Sequence, residues 1–143
     1  MNIQPHRSDK INTIYDVKLI EFPQICDHLG NLVVVENLKD IPFSIKRIFF
    51  IYDSDVSVVR GKHANRNSSF CLINVSGTSK VKVIDLNGDE QVFILDRPYV
   101  GVYLPPMIWK DMYDFSSDSI LLVLSDKYYD EHEYIRDYQD FIK

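Results

Sequence analysis

The sequence predicts an all-β domain, a sandwich or barrel, with a short C-terminal helix. Three observations predict it. Short apolar or alternating runs recur along most of the chain. Turn-forming residues separate them, Asn87-Gly88 being the strongest hairpin signal. No βαβ alternation is present, which disfavours a parallel dinucleotide-type fold.

The elements follow in order. Residues 1–14 are polar, carry Pro5 and lack periodicity, so they read as a loose N-terminal arm; one domain is expected over residues 15–143. Tyr15, Val17 and Leu19 alternate with Asp16 and Lys18, a half-buried strand running to Phe22. His28-Leu29-Gly30-Asn31 has turn composition and precedes the apolar run Leu32–Val35. Ile45–Tyr52 is rich in β-branched and aromatic residues, and Phe70–Val75 is a short apolar run. In Lys80–Asp85, Val81 and Val83 face one way and Lys80 and Lys82 the other; Glu90–Leu95 returns from the Asn87-Gly88 turn. Tyr99–Leu104 and Ser119–Leu124 complete the strands. The acidic stretch Asp130–Glu133 suits a helix N-terminus, and Tyr134, Tyr138 and Phe141 recur at helical spacing behind it.

Composition narrows the function. The 143 residues are 45% hydrophobic and 26% charged, a globular balance. The net charge of −5 argues against nucleic acid or an anionic membrane as partner. No window approaches the ~18 apolar residues of a membrane span. The first residues lack the apolar core of a secretory signal, so a cytoplasmic location is expected. Cys26 and Cys71 lack the spacing of a zinc knuckle or a redox pair and are expected to be free thiols.

Two stretches can carry chemistry. His6, His28, His63 and His132 bound the acid–base options. His63 lies in Val59-Arg60-Gly61-Lys62-His63-Ala64-Asn65-Arg66, the densest cationic cluster of an acidic chain. As a regular strand it would put residues 61, 63 and 65 on one face and 60, 62, 64 and 66 on the other, so that His63 and Asn65 point together. The other stretch is Tyr103-Leu104-Pro105-Pro106-Met107-Ile108-Trp109-Lys110-Asp111, in which the prolines force a turn. The single Trp109 suits either a strand-edge core or stacking on a ring.

These residues, with Ile41-Pro42-Phe43-Ser44-Ile45-Lys46-Arg47, Gly101-Val102-Tyr103, Asp114-Phe115-Ser116-Ser117-Asp118 and Tyr128-Tyr129-Asp130 leading to Tyr134-Ile135-Arg136, form a pattern. It resembles the sugar 3,4-ketoisomerases acting on dTDP-4-keto-6-deoxyglucose, a cupin-like family, over residues 15–143. The resemblance implies a double-stranded β-helix, or jelly roll, and a homodimer with exchanged N-terminal strands. It implies chemistry without metal or cofactor, in which the keto group moves from C4 to C3 through an enediol on the way to 3-amino sugars of surface glycans. On that basis His63 is the expected base, Asn65 orients substrate hydroxyls or the enediolate, and Tyr103 is the expected acid. Arg47, Arg60 and Lys62 are expected at phosphate or oxyanion, Trp109 and Lys110 at the cavity.

The chain departs from the family pattern at points that matter. The family reads R-G-x-H-A-H where this chain ends in Asn65; it carries E-Q where Ser69 and Phe70 stand, and W-H-E where Trp109-Lys110-Asp111 stand. Asn65 cannot shuttle a proton at neutral pH. A metal-binding cupin needs His and Glu at such positions, and a lysine ammonium repels a metal ion. Three readings therefore stand open: a ketoisomerase with His63 as its sole imidazole, a related enzyme in which Lys110 supplies charge or acid–base function, and a relative that binds a dTDP-sugar without turnover.

Overall fold

The computed structural model describes residues 11–143. His6 and the first ten residues of the expected arm lie outside the described residues. The end of that arm is docked rather than loose. The Asn12 side chain donates to the Pro106 carbonyl at 2.9 Å, and the Ile14 N–H donates to the buried Asp85 carboxylate at 2.9 Å. Thr13 caps a single 3₁₀ turn, Ile14–Asp16, whose Asp16 carboxylate accepts from the Thr13 N–H. The first strand is correspondingly shorter than expected.

Twelve strands follow: β1 (Lys18–Glu21), β2 (Gln24–Asp27), β3 (Gly30–Val33), β4 (Arg47–Tyr52), β5 (Arg60–Asn65), β6 (Phe70–Ser76), β7 (Ser79–Ile84), β8 (Glu90–Leu95), β9 (Val100–Leu104), β10 (Trp109–Tyr113), β11 (Ile120–Ser125) and β12 (Tyr134–Ile135). One sheet has the order β1-β9-β6-β11-β4 and the other β12-β5-β10-β7-β8. From β4 onward the chain mostly crosses between the sheets, and neighbouring strands pair antiparallel, which is the double-stranded β-helix. β2 and β3 form a separate hairpin.

Alternation along the strands builds the core. Phe70 and Leu72 of β6, Val102 and Leu104 of β9, and Leu121 and Val123 of β11 point inward to meet Val81, Val83, Phe93, Leu95 and Met112 of the facing sheet. Burying a side chain of this kind stabilises the fold by roughly 1.5–3 kcal/mol. The alternate residues Cys71, Ile73, Leu124 and Tyr103 point to the outer face, where Phe22, Ile41 and Phe43 cover them. Behind the second sheet, Trp109 and Ala64 pack under Ile135 and Phe141. The Asn87-Gly88 turn joins β7 to β8 as expected, with Gly88 at φ +82° and Asp85 accepting from the Asn87 and Asp89 N–H groups.

Three elements differ from expectation. β2 and β10 were not legible as strands: β2 is short and exposed, and β10 interleaves Lys110 and Asp111 with its apolar residues. The expected C-terminal helix is broken. Glu131–Glu133 is a 3₁₀ turn, Tyr134 and Ile135 pair with Asn65 and Ala64 of β5, and only α1 (Tyr138–Phe141) is helical, capped by Asp137. The spacing of Tyr134, Tyr138 and Phe141 is shared by a strand end and a helix that pack on the same sheet.

Candidate active site

A bulge in β5 builds the site. Lys110 pairs with His63 and Asp111 with Gly61, so one step on β10 spans two on β5 and Lys62 is the extra residue. Gly61 and Lys62 both have positive φ, +85° and +53°. A Cβ on Gly61 would lie 2.9 Å from the Lys110 carbonyl oxygen, so the close approach also requires glycine. The bulge overturns the expected facing. Arg60, opposite Met112, and His63, opposite Lys110, share the inner face, although a regular strand would separate them.

That inner face lines a cavity of about 500 Å³. Phe49, Ile51, Phe70, Leu72 and Val123 supply its apolar walls, and Arg60, His63, Lys110, Tyr134 and Arg136 its polar groups. The volume suits a small-molecule ligand, and Phe70 lines the cavity without filling it. His63 Nδ1 lies 2.9 Å from the Gly61 carbonyl oxygen. A carbonyl only accepts, so Nδ1 carries the hydrogen and Nε2 is the basic atom. Burial, reinforced by the Lys110 ammonium, lowers His63 from 6.5 to about 4; the Gly61 carbonyl and the Asn65 side chain pull the other way. The imidazole is therefore neutral at pH 7, as a base must be.

Lys110 is the second charged group of the cavity. Burial lowers it from 10.5 to about 7; Glu133 opposes that shift and Arg47 adds to it. Its Nζ donates to Asn65 Oδ1 at 3.0 Å and sits 4.4 Å from the centre of the Phe70 ring. Asn65 in turn donates through Nδ2 to Glu133 Oε1. Ser68 Oγ donates to the same oxygen at 2.5 Å, and the Asn67 N–H to Glu133 Oε2 at 3.1 Å. A buried carboxylate is thus fully engaged, and it holds the amide that holds the lysine.

Several expected site residues stand elsewhere or do something else. Asn65 shares the inner face with His63, as expected, but its amide is committed to Lys110 and Glu133 and is 1% exposed. It cannot orient substrate hydroxyls directly. Tyr103 lies on the opposite face of its sheet, beside Phe43, and lines a separate cavity with Lys18, Ile41 and Pro105; strand alternation removes it from the acid's position. Trp109, next to Lys110 on β10, is likewise turned outward and packs on Tyr138 and Phe141. Lys62 is carried outward by the bulge, beside Trp109 and Asp111. Arg47 stays near the cavity, its guanidinium 3.4 Å from Tyr134 Oη and against the Phe70 and Tyr129 rings. Its buried Nε has no hydrogen-bond partner among the described residues. Arg60 lines the cavity from an exposed position.

Sequence reasoning assigned no role to Glu133, Tyr134 or Arg136. The centre of the Tyr134 ring is 4.8 Å from that of His63, and the Arg136 guanidinium lies 4.7 Å from the centre of the same Tyr134 ring. Their signal was present in the family pattern, but Glu133 read as part of a helix start.

The family model FdtA, described as WxcM-like, C-terminal, matches residues 15–143. The chain belongs to this family. A TDP-4-oxo-6-deoxy-alpha-D-glucose-3,4-oxoisomerase from Aneurinibacillus thermoaerophilus is 43% identical over 126 residues, covering 88% of this chain and 90% of that protein. The TDP-fucose-3,4-ketoisomerase WlaRA from Campylobacter jejuni is 42% identical, with a TM-score of 0.84 and coverage of 89% and 93%. A mutant of the 3,4-ketoisomerase QdtA from Thermoanaerobacterium thermosaccharolyticum, solved in complex with TDP-4-keto-6-deoxyglucose, is 38% identical, with a TM-score of 0.86 and coverage of 90% and 92%. These three relatives are named as 3,4-ketoisomerases or oxoisomerases, and this chain shares their fold.

Proposed function

We propose that the chain is a sugar nucleotide 3,4-ketoisomerase that converts TDP-4-keto-6-deoxyglucose to its 3-keto isomer. The observation that carries this reading is the neutral His63 imidazole paired across the strand ladder with the Lys110 cation, in a cavity of ligand size. A proton alpha to a ketone is within reach of an imidazole when the oxyanion it leaves is stabilised by nearby positive charge. His63 Nε2 takes the C3 proton. Lys110, with Arg47 behind it, stabilises the negative charge that develops on the sugar oxygens. Arg60 and Arg136 serve the diphosphate, whose negative charge makes the His63 imidazole more basic than in the empty cavity. The binding-only alternative is weakened by the open cavity beside Phe70 and by the neutral state of His63.

The active form is a homodimer in this reading. Ile48, Phe50 and Tyr52 form an outward apolar stripe on the edge strand β4. The β1–β9 pairing made within the chain is the one that an exchanged N-terminal strand would make between subunits. No described helix is long and apolar enough to cross a membrane, and Cys26 and Cys71 are free thiols, which suits a reducing cytoplasm.

The test is incubation with TDP-4-keto-6-deoxyglucose, borohydride reduction and analysis of the released sugars. Isomerisation gives products epimeric at C3 as well as at C4. Products epimeric only at C4, with TDP still bound, would overturn the enzymatic reading.

A further inference from the structure

Lys110 occupies a position that the ketoisomerase reading alone leaves with only an electrostatic role. It stands directly across the ladder from His63, on the same face. Cross-strand partners have Cβ atoms only about 5 Å apart, so one substrate can meet both groups. Its amine is held on one side by Asn65 Oδ1, which is itself held by Glu133, and lies flat over Phe70 on another. No carboxylate among the described residues forms an ion pair with it. Buried lysines without a contacting acid are uncommon, and one in a cavity beside a base is placed to act.

We propose that the Lys110 amine carries the hydroxyl proton between O4 and O3 of the bound sugar while His63 alone handles the carbon-bound proton. This rests on the ketoisomerase reading and deepens it. His63 Nε2 removes H3; the C3–H electrons form C3=C4, and the C4=O electrons move to O4. The Lys110 ammonium gives O4 a proton and becomes the amine. The amine then takes the O3 proton, the O3 electrons form C3=O, and the C3=C4 electrons take the proton held by His63 at C4. Hydrogen has moved from C3 to C4 and from O3 to O4, and both side chains are restored.

The cycle needs a lysine that loses and regains its proton near neutral pH. Burial supplies this, lowering Lys110 to about 7. The groups that set its charge are His63 on β5, Arg47 on β4, Tyr134 and Arg136 from the β12 segment, and Glu133 acting across Asn65. With a single imidazole the carbon proton leaves and returns on one face of the enediol. Asn65, which cannot relay a proton, becomes the positioning residue for the one that does.

The test compares wild-type protein with Lys110→Arg and Lys110→Met, using TDP-4-keto-6-deoxyglucose in deuterated water followed by proton NMR. Calorimetry with TDP checks that each variant is folded and binds. Arginine keeps the charge but does not release its proton. Lys110→Arg is expected to retain exchange at C3 yet form the 3-keto product at least ~100-fold more slowly, and to lack the fall in kcat/KM expected of wild type above about pH 7. Lys110→Met is expected to lose both exchange and product. Turnover within threefold of wild type in either TDP-binding variant would overturn the shuttle and leave the ketoisomerase reading standing. A borohydride-trapped covalent adduct in wild type, absent from Lys110→Met, would overturn it in favour of an imine. Wild-type protein that binds TDP but forms no 3-keto sugar would overturn the activity itself.

Discussion

Replacing His63 by Asn removes a group whose protonation is coupled to folding. In the folded chain His63 titrates at about 4, against 6.5 for an unperturbed imidazole. At pH 7 it is neutral folded and unfolded, so the substitution leaves stability nearly unchanged through this term. As pH falls below 6.5 the unfolded chain takes up a proton that the folded chain refuses, and stability falls with pH down to about 4. Over the two units from 6.5 to 4.5, at ~1.36 kcal/mol per unit, wild type loses about 2–3 kcal/mol through this residue. His63→Asn is spared that loss. Urea unfolding at pH 7 and pH 4.5 measures the difference directly: the two proteins match at pH 7, and the variant is the more stable by about 2 kcal/mol at pH 4.5. Parallel pH dependences would refute the burial argument, because an exposed His63 would titrate alike in both states. Turnover of the variant is expected to fall about 10²–10⁴-fold with TDP binding preserved.

Other substitutions test the scaffold around the base. Gly61→Ala combines a left-handed φ with a Cβ 2.9 Å from the Lys110 carbonyl; thermal unfolding should show a loss of about 1–2 kcal/mol or more, with a larger proportional loss of kcat because His63 and Lys110 shift together. Glu133→Ala strands the Asn65 amide, the Ser68 hydroxyl and the Asn67 N–H; at about 1–3 kcal/mol for each unpaired group, chemical denaturation should show at least ~3 kcal/mol of destabilisation. The same loss takes away the group that opposes the burial shift of Lys110, so its titration moves lower still. Arg60→Ala should weaken TDP binding by about tenfold or more in calorimetry, the weight of one charge-assisted hydrogen bond, while the exchange step changes little.

The sandwich was legible because its inner face is written in period two. Val81 and Val83 against Lys80 and Lys82 mark a strand with one buried face, and Asn87-Gly88 marks its turn. Legibility failed where a local departure reset that period. The bulge at Gly61 and Lys62 turns Arg60 onto the face of His63, and no alternation rule contains it, although the adjacent glycine was its one visible trace. The family resemblance puts Tyr103 and Trp109 at the site, yet each lies an odd step from the inward positions of its strand and faces out. Glu133 was hidden by its acidic neighbours: Glu131 and Asp130 are exposed, and only the fold distinguishes the carboxylate that closes over Asn65. His63 and Lys110 were legible as chemical types, a base and a cation in the two unusual stretches. That they are register partners follows only from pairing strands nearly fifty residues apart.

In the proposed reaction His63 transfers a proton at C3 of a TDP-linked 4-keto sugar. The most direct measurement is proton NMR of TDP-4-keto-6-deoxyglucose in deuterated water with wild-type protein and with His63→Asn. The account expects wild type to wash out the C3 signal and build a 3-keto product, and His63→Asn to leave the C3 proton untouched with the nucleotide still bound. Loss of the C3 proton at an undiminished rate in His63→Asn would contradict it and move the base elsewhere in the cavity.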